Sequence, residues 1–172
     1  MQMITFDVIK DLTFNYKDEG EIEYPKKYIF RPDTSLGDVI ATLERYVLIY
    51  SYLYYEKGLS PISDYEYDRL AKYLYMLCKT YPHAAVLSQY YYVFKDYTPD
   101  TGFNLFSQLN EYNKEHISWH ADLLAKHRGD ITKTDNEIST RVKLMSIYKK
   151  IFDSGNEELF AKAKKILEGV KF

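Results

Sequence analysis

The sequence has little of several features that would point to common protein classes. Its 172 residues include one cysteine, Cys78, so no intrachain disulfide can form, and we expect a reducing, cytoplasmic setting. No run approaches the roughly 20 apolar residues that span a bilayer, and no cleavable signal is expected. The formal net charge is only −2, so direct nucleic-acid binding is not favoured. Gly-rich phosphate loops, internal repeats and low-complexity segments are also missing from the sequence.

What the chain has in surplus is tyrosine, with 19 residues, against a background of 46% hydrophobic residues. This composition is sufficient for a real core, and we expect a single domain over 1–172. Tyrosine buries a ring while it keeps its hydroxyl near water or a hydrogen-bond partner. The fold predicted below is mainly α, with a helical hairpin, three or four further helices and a small extended or β element at the N-terminus.

The first helix of the hairpin is predicted over about 36–57. Ser35, with Asp38 three positions later, is typical of a helix N-terminus. Lys57 and Gly58 are typical of a C-terminus, since a cation suits the last carbonyls and glycine adopts the left-handed conformation there. Apolar positions recur at helical spacing. They are Leu36, Val39, Ile40, Leu43, Tyr46, Val47, Tyr50, Leu53 and Tyr54.

The second helix is predicted over about 64–81. Pro61 ends any continuation of the first helix, and Ser63 with Glu66 forms a capping box. The connection is short, so the two helices form a tight hairpin over 35–82. The side chains expected to be buried are Tyr67, Leu70, Ala71, Leu74, Leu77, Cys78 and Tyr81.

The mouth of this hairpin combines carboxylates and aromatic rings. Asp64 and Asp68 are one turn apart and project the same way, with Tyr67 beside them. Tyr54 and Tyr55 approach from the end of the first helix. Such a set can hold a flat cationic ring by stacking and cation–π attraction, while the carboxylates accept hydrogen bonds from ribose hydroxyls. The simpler interpretation is that the tyrosines pack and the aspartates cap the helix.

Part of the chain, roughly 36–82, resembles the N-terminal nicotinamide mononucleotide-binding (Ia) subdomain of NAD-dependent DNA ligases. The residues that carry the resemblance are Tyr54-Tyr55, Ile62–Leu70 and Tyr81-Pro82. It implies that Tyr54 contacts the nicotinamide, and that Asp64, Tyr67 and Asp68 make the remaining nicotinamide and ribose contacts. Tyr55 stands where the family has a histidine, at the position of a phosphate contact. The implied ligand is NAD or NMN, and no metal is expected.

The catalytic half of such a ligase has no counterpart in these residues. Ligases adenylate the lysine of a Lys-x-Asp-Gly motif, whereas Lys17 begins Lys-Asp-Glu-Gly and precedes the hairpin, so a solvated turn is expected there. No catalytic residue is predicted, and an enzyme is not favoured. The resemblance implies a stand-alone phage or bacterial ligase-like protein, in the host cytoplasm if phage-encoded. It would bind NMN, NAD or a related signal as an accessory or counter-defence factor.

The alternative function is a protein–protein interaction module that retains the hairpin only as a structural unit, with a ligase or a host protein as partner. The flanking segments do not decide between the two. Residues 1–34 are predicted as an extended or β arm, and 83–172 as additional helices, one over about 103–126, one from the capping box at Thr134 and one from Glu157. The three histidines His116, His120 and His127 are interpreted as structural residues, not metal ligands.

Overall fold

The computed structural model describes residues 3–128, 147, 150, 151 and 153–169, and the chain divides into two compact units, Met1–Gln108 and Leu109–Phe172. The fold is mainly helical with a small two-stranded antiparallel sheet near the N-terminus, which confirms the predicted fold class. The division after residue 108 lies at a point that neither the composition nor the patterning predicted. Among the described residues, no helix combines the length and the hydropathy needed to cross a membrane.

The N-terminal arm contains a short helix, α1 (Phe6–Ile9), and a hairpin of strands β1 (Thr13–Asn15) and β2 (Glu21–Glu23). The arm predicted as extended or β is therefore helical over Phe6–Ile9 and forms strands only over Thr13–Asn15 and Glu21–Glu23. Lys17 is exposed in the hairpin turn at a positive φ of 47°, as expected for a turn residue.

The arm packs on the hairpin through aromatic side chains. The rings of Phe14 and Tyr24 lie 5.2 and 5.3 Å from that of Tyr73, centroid to centroid. The Tyr73 hydroxyl donates to the backbone carbonyl of Ile9 at 3.2 Å, and an isolated bridge between Thr5 and Ser35 closes the arm. Offset aromatic pairs of this kind are worth about 0.5–1.5 kcal/mol beyond their buried area. These contacts hold the arm against the hairpin helices.

The central helix is α2 (Leu36–Lys57), with the bounds that its capping residues predict. The Ser35 side chain accepts from the Asp38 amide, and Gly58 follows in the left-handed conformation at φ 65°. The helix is buried over most of its circumference, because the arm, α3 and the following segments surround it. Besides the expected stripe, of which Tyr46 is only partly buried, it buries Glu44, Leu48, Ile49, Ser51 and Tyr52. Tyr54, predicted as part of the apolar stripe, is instead half exposed, because the last turn of α2 extends beyond the core.

The second helix of the hairpin is α3 (Asp64–Thr80), and its predicted capping box is present in both directions between Ser63 and Glu66. Its fully buried residues are Leu70, Ala71, Tyr73, Leu74 and Leu77. Tyr67, Cys78 and Tyr81, which were expected to be buried, are only partly so, and Tyr73 replaces them because the arm covers a second face of the helix.

The segment after the hairpin is made of short elements. Pro82 opens α4 (Pro82–Ala85), which is followed by α5 (Tyr91–Phe94) and two 3₁₀ helices, Pro99–Asn104 and Phe106–Gln108. The prediction of one helix from Phe103 was therefore wrong. The next helix, α6 (Glu111–His127), begins where the Asn110 side chain caps the amide of Asn113.

In the second unit, the buried face of α6 does not coincide with its three histidines. Its buried residues are Tyr112, Asn113, Ile117, Ala121 and Ala125, whereas His116 and His120 are half-buried and His127 is exposed. The helix predicted from Glu157 runs over Glu157–Gly169, and its Phe160 and Ala163 pack against Tyr112. The helix predicted from Thr134 begins outside the described residues.

Candidate functional site

A cavity of about 380 Å³ opens at the mouth of the hairpin, and all five predicted ligand-binding residues line it. Tyr54 and Tyr55 come from the last turns of α2, and Asp64, Tyr67 and Asp68 from the first turns of α3. The cavity is of the size that small organic ligands occupy in proteins. Its remaining lining residues are Tyr50, Ser51, Ser60, Pro61, Ile62, Pro99, Asp100 and Gly102. The mouth is therefore open, not filled by the chain's own aromatic side chains.

The two tyrosines at the end of α2 present aromatic surface to solvent and to the cavity. Their ring centroids lie 5.0 Å apart with an interplanar angle of 82°, an edge-to-face pair. About half of each side chain is exposed. Exposed rings next to a cavity can gain buried area when a flat ligand enters, and ring faces attract cations.

Tyr67 is the most constrained of the five residues. Its hydroxyl lies 2.7 Å from the hydroxyl of Ser51, which is itself buried on α2. Burial is the main cause that raises the pKa of Tyr67 to about 12, against the opposing hydrogen bond with Ser51. The phenol is therefore neutral near pH 7, and Tyr67 contributes an uncharged aromatic side chain to the cavity lining.

A third wall of the cavity is provided by the 3₁₀ helix that begins at Pro99. A Cβ atom added to Gly102 would lie 2.6 Å from the Tyr67 hydroxyl oxygen, closer than side-chain carbons approach. Glycine at position 102 therefore permits the close approach that holds Tyr67. In the sequence, Thr98-Pro99, a capping residue before a proline, is the signal for this helical start.

The described lining of the cavity is acidic. It contains three carboxylates, Asp64, Asp68 and Asp100, and no lysine, arginine or histidine. All three are exposed, so they remain accessible to a ligand. Three neighbouring carboxylates attract a cation, accept hydrogen bonds from hydroxyl groups and repel an anion. This arrangement therefore favours a cationic or polyhydroxylated ligand over a phosphate.

The histidines of α6 form a separate feature. The Nε2 atoms of His116 and His120 lie 3.1 Å apart, so one ring donates to the other, and the rings meet edge to face. Within the described residues, no group of three or more His, Cys, Asp or Glu side chains is arranged to hold a metal ion. The pair fits the structural interpretation of these two histidines.

No protein-family model, curated protein or solved structure matches the chain. The resemblance to the ligase subdomain thus rests on the residues quoted above.

Proposed function

We propose that the hairpin mouth binds the nicotinamide riboside portion of NMN or NAD. The observation that supports this most directly is the open cavity of ligand size around Tyr54, Tyr55, Asp64, Tyr67 and Asp68. These are the residues to which the resemblance assigns nicotinamide and ribose contacts.

The chemistry of the lining suits the oxidised nicotinamide ring. That ring is flat and carries a positive charge, so it can stack on the Tyr54 or Tyr55 face and be stabilised by the nearby carboxylates. Asp64 and Asp68 can accept hydrogen bonds from the ribose hydroxyls. Together these contacts provide recognition without any catalytic group.

The phosphate end of the ligand has no cationic partner among the described lining residues. A phosphate placed among Asp64, Asp68 and Asp100 would be repelled, so the proposed pose directs it toward solvent. The family's histidine at the position of Tyr55 is absent, in keeping with this pose. Binding of this kind suits an accessory to a split ligase or a protein that sequesters a nicotinamide nucleotide.

The test is calorimetric titration of the whole chain with NMN, NAD and nicotinamide riboside. We expect all three to bind, and the riboside at least as tightly as NMN. The reduced form of NMN is the matched control, because its ring has lost the positive charge, and we expect its affinity to fall about tenfold. Equal binding of oxidised and reduced NMN would contradict the proposed role of the ring charge, and no binding of any of them at millimolar concentration would refute the function.

Variants locate the site. Tyr67→Ala and Asp68→Asn should each weaken NMN binding, whereas Tyr65→Ala should not, because Tyr65 lies on the same helix, is 68% exposed and is not part of the cavity. An unchanged affinity of Tyr67→Ala for NMN would show that the ligand does not bind at the hairpin mouth. Loss of NAD on prolonged incubation would instead reveal a catalyst.

The second candidate is the protein–protein interaction module, which is favoured by the exposure of Tyr54 and Tyr55. Aromatic side chains are enriched in interfaces and commonly carry much of their binding energy. A stoichiometric partner captured from host extract, lost in Tyr54→Ala and indifferent to added NMN, would support this function over nucleotide binding.

A further inference from the structure

The three carboxylates at the hairpin mouth belong to two different elements. Asp64 and Asp68 lie on α3, whereas Asp100 lies on the 3₁₀ helix Pro99–Asn104. The resemblance behind the proposed function assigns nicotinamide and ribose contacts to Asp64 and Asp68, and it assigns no contact to Asp100. Asp100 is therefore a negative charge in the cavity lining that recognition of the ring and the ribose does not require.

The backbone on both sides of Asp100 is held in place. The backbone N–H and the hydroxyl of Thr101 both donate to the carbonyl of Thr98, at 3.0 and 2.8 Å, and these bonds close a turn around Asp100. Gly102 is buried so close to Tyr67 that a Cβ atom would not fit between them. A loop movement that carried the Asp100 side chain away from the cavity would have to break these contacts.

Asp100 lies at the solvent-facing edge of its wall. It is exposed whereas Gly102, two residues later, is buried, and both line the cavity. In the proposed site the nicotinamide ring stacks on Tyr54 or Tyr55 and the ribose hydroxyls bind the carboxylates of α3. The 5′ end of the ribose is then the part of the ligand that is left to meet the third wall and its exposed edge.

The charge at this edge distinguishes two kinds of 5′ group. Aspartate side chains in water are ionised at neutral pH, and they repel a 5′ phosphate, which carries up to two negative charges. A free 5′ hydroxyl carries no charge and can donate a hydrogen bond to a carboxylate. One carboxylate therefore disfavours the nucleotide and accepts the nucleoside.

We infer that Asp100 is a specificity-determining residue of the mouth, and that it selects a cationic ribonucleoside with a free 5′ hydroxyl over the corresponding 5′ phosphate. The preferred ligand class is then nicotinamide riboside and similar N-glycosylated pyridinium compounds, with NMN and NAD bound more weakly. This inference rests on the proposed function, because it concerns the same cavity.

The experiment is calorimetric titration of the whole chain with nicotinamide riboside and with NMN, and its readout is the ratio of the two dissociation constants. We expect the wild type to bind the riboside about fivefold more tightly than NMN, and Asp100→Asn to bring the two affinities within about twofold of each other. Asp100→Glu keeps the charge and should keep the preference. Because both ligands are measured on each protein, a partly unfolded variant weakens both alike and leaves the ratio unchanged.

Asp96→Asn is the matched control. It removes the same charge four residues earlier, from a side chain that is exposed and does not line the cavity, so it should leave the ratio as in the wild type. Salt provides a second test on the unaltered protein. Raising sodium chloride from about 0.02 to about 0.5 M should reduce the preference for the riboside, because salt screens repulsion between exposed charges.

The outcomes separate this inference from the function on which it rests. If both ligands bind but Asp100→Asn has the wild-type ratio, or if salt leaves the ratio unchanged, Asp100 does not determine specificity and the proposed function stands. If neither ligand binds the wild type at millimolar concentration, both the proposed function and the role of Asp100 are refuted.

Discussion

The buried carboxyl of Glu44 should make the stability of this protein fall steeply between weakly acidic and alkaline pH. Burial is the main cause that raises the pKa of Glu44 from 4.5 to about 8, and the hydrogen bond from Ser88 only partly opposes it. The folded state therefore holds the proton more tightly than the unfolded chain over this range. Each pH unit between the two values lowers the free energy of unfolding by up to about 1.4 kcal/mol as pH rises.

The neighbours of Glu44 keep this effect separable. Burial raises the pKa of the Cys78 thiol and of the Tyr97 hydroxyl above their ordinary values, so both groups stay neutral through the window. Lys79 and Lys95, which line one cavity together with Glu44, are exposed to solvent, and the solvent screens their interaction with the carboxyl.

The perturbation is Glu44→Gln, which keeps the size of the side chain and an oxygen that accepts from Ser88 but removes the titration. Urea unfolding of both proteins from pH 5 to pH 8.5 gives the assay. We expect the wild type to lose about 4 kcal/mol relative to the variant across this range, with the variant the more stable protein at pH 8.5. Parallel profiles for the two proteins would refute the reasoning, because they would mean that the Glu44 carboxyl titrates alike in the folded and unfolded states.

Two matched pairs of substitutions test the packing, both by urea unfolding. Gly102→Ala should cost about 1–3 kcal/mol, because its Cβ would meet the Tyr67 hydroxyl at 2.6 Å, whereas Gly37→Ala, whose nearest neighbour is 3.5 Å away, should gain up to about 1 kcal/mol of helix propensity. Tyr97→Phe should stabilise by about 1 kcal/mol, because it removes an orphaned hydroxyl, whereas Tyr73→Phe should destabilise by a similar amount, because it breaks a made hydrogen bond. The same sign in both members of either pair would contradict its explanation.

Local signals were sufficient to predict the hairpin. The capping residues Ser35 and Ser63 and the left-handed Gly58 act within a turn of the backbone that they terminate, so the bounds of α2 and α3 follow closely from the sequence. The five residues at the mouth were also predicted to lie together, because all belong to helix ends joined by a short loop.

Features that depend on distant partners could not be read in the same way. In the sequence, Glu44 fits a solvated helix face. In the structure it is buried, because α4 and the segment after it cover that face, and the periodicity of α2 does not predict this covering. Gly102 appears as one residue of a turn, and its role depends on Tyr67, which approaches it from another helix. The start of α6 was misplaced because the apolar residues from Phe103 onward fit helical spacing, although 3₁₀ turns separate them from the cap at Asn110.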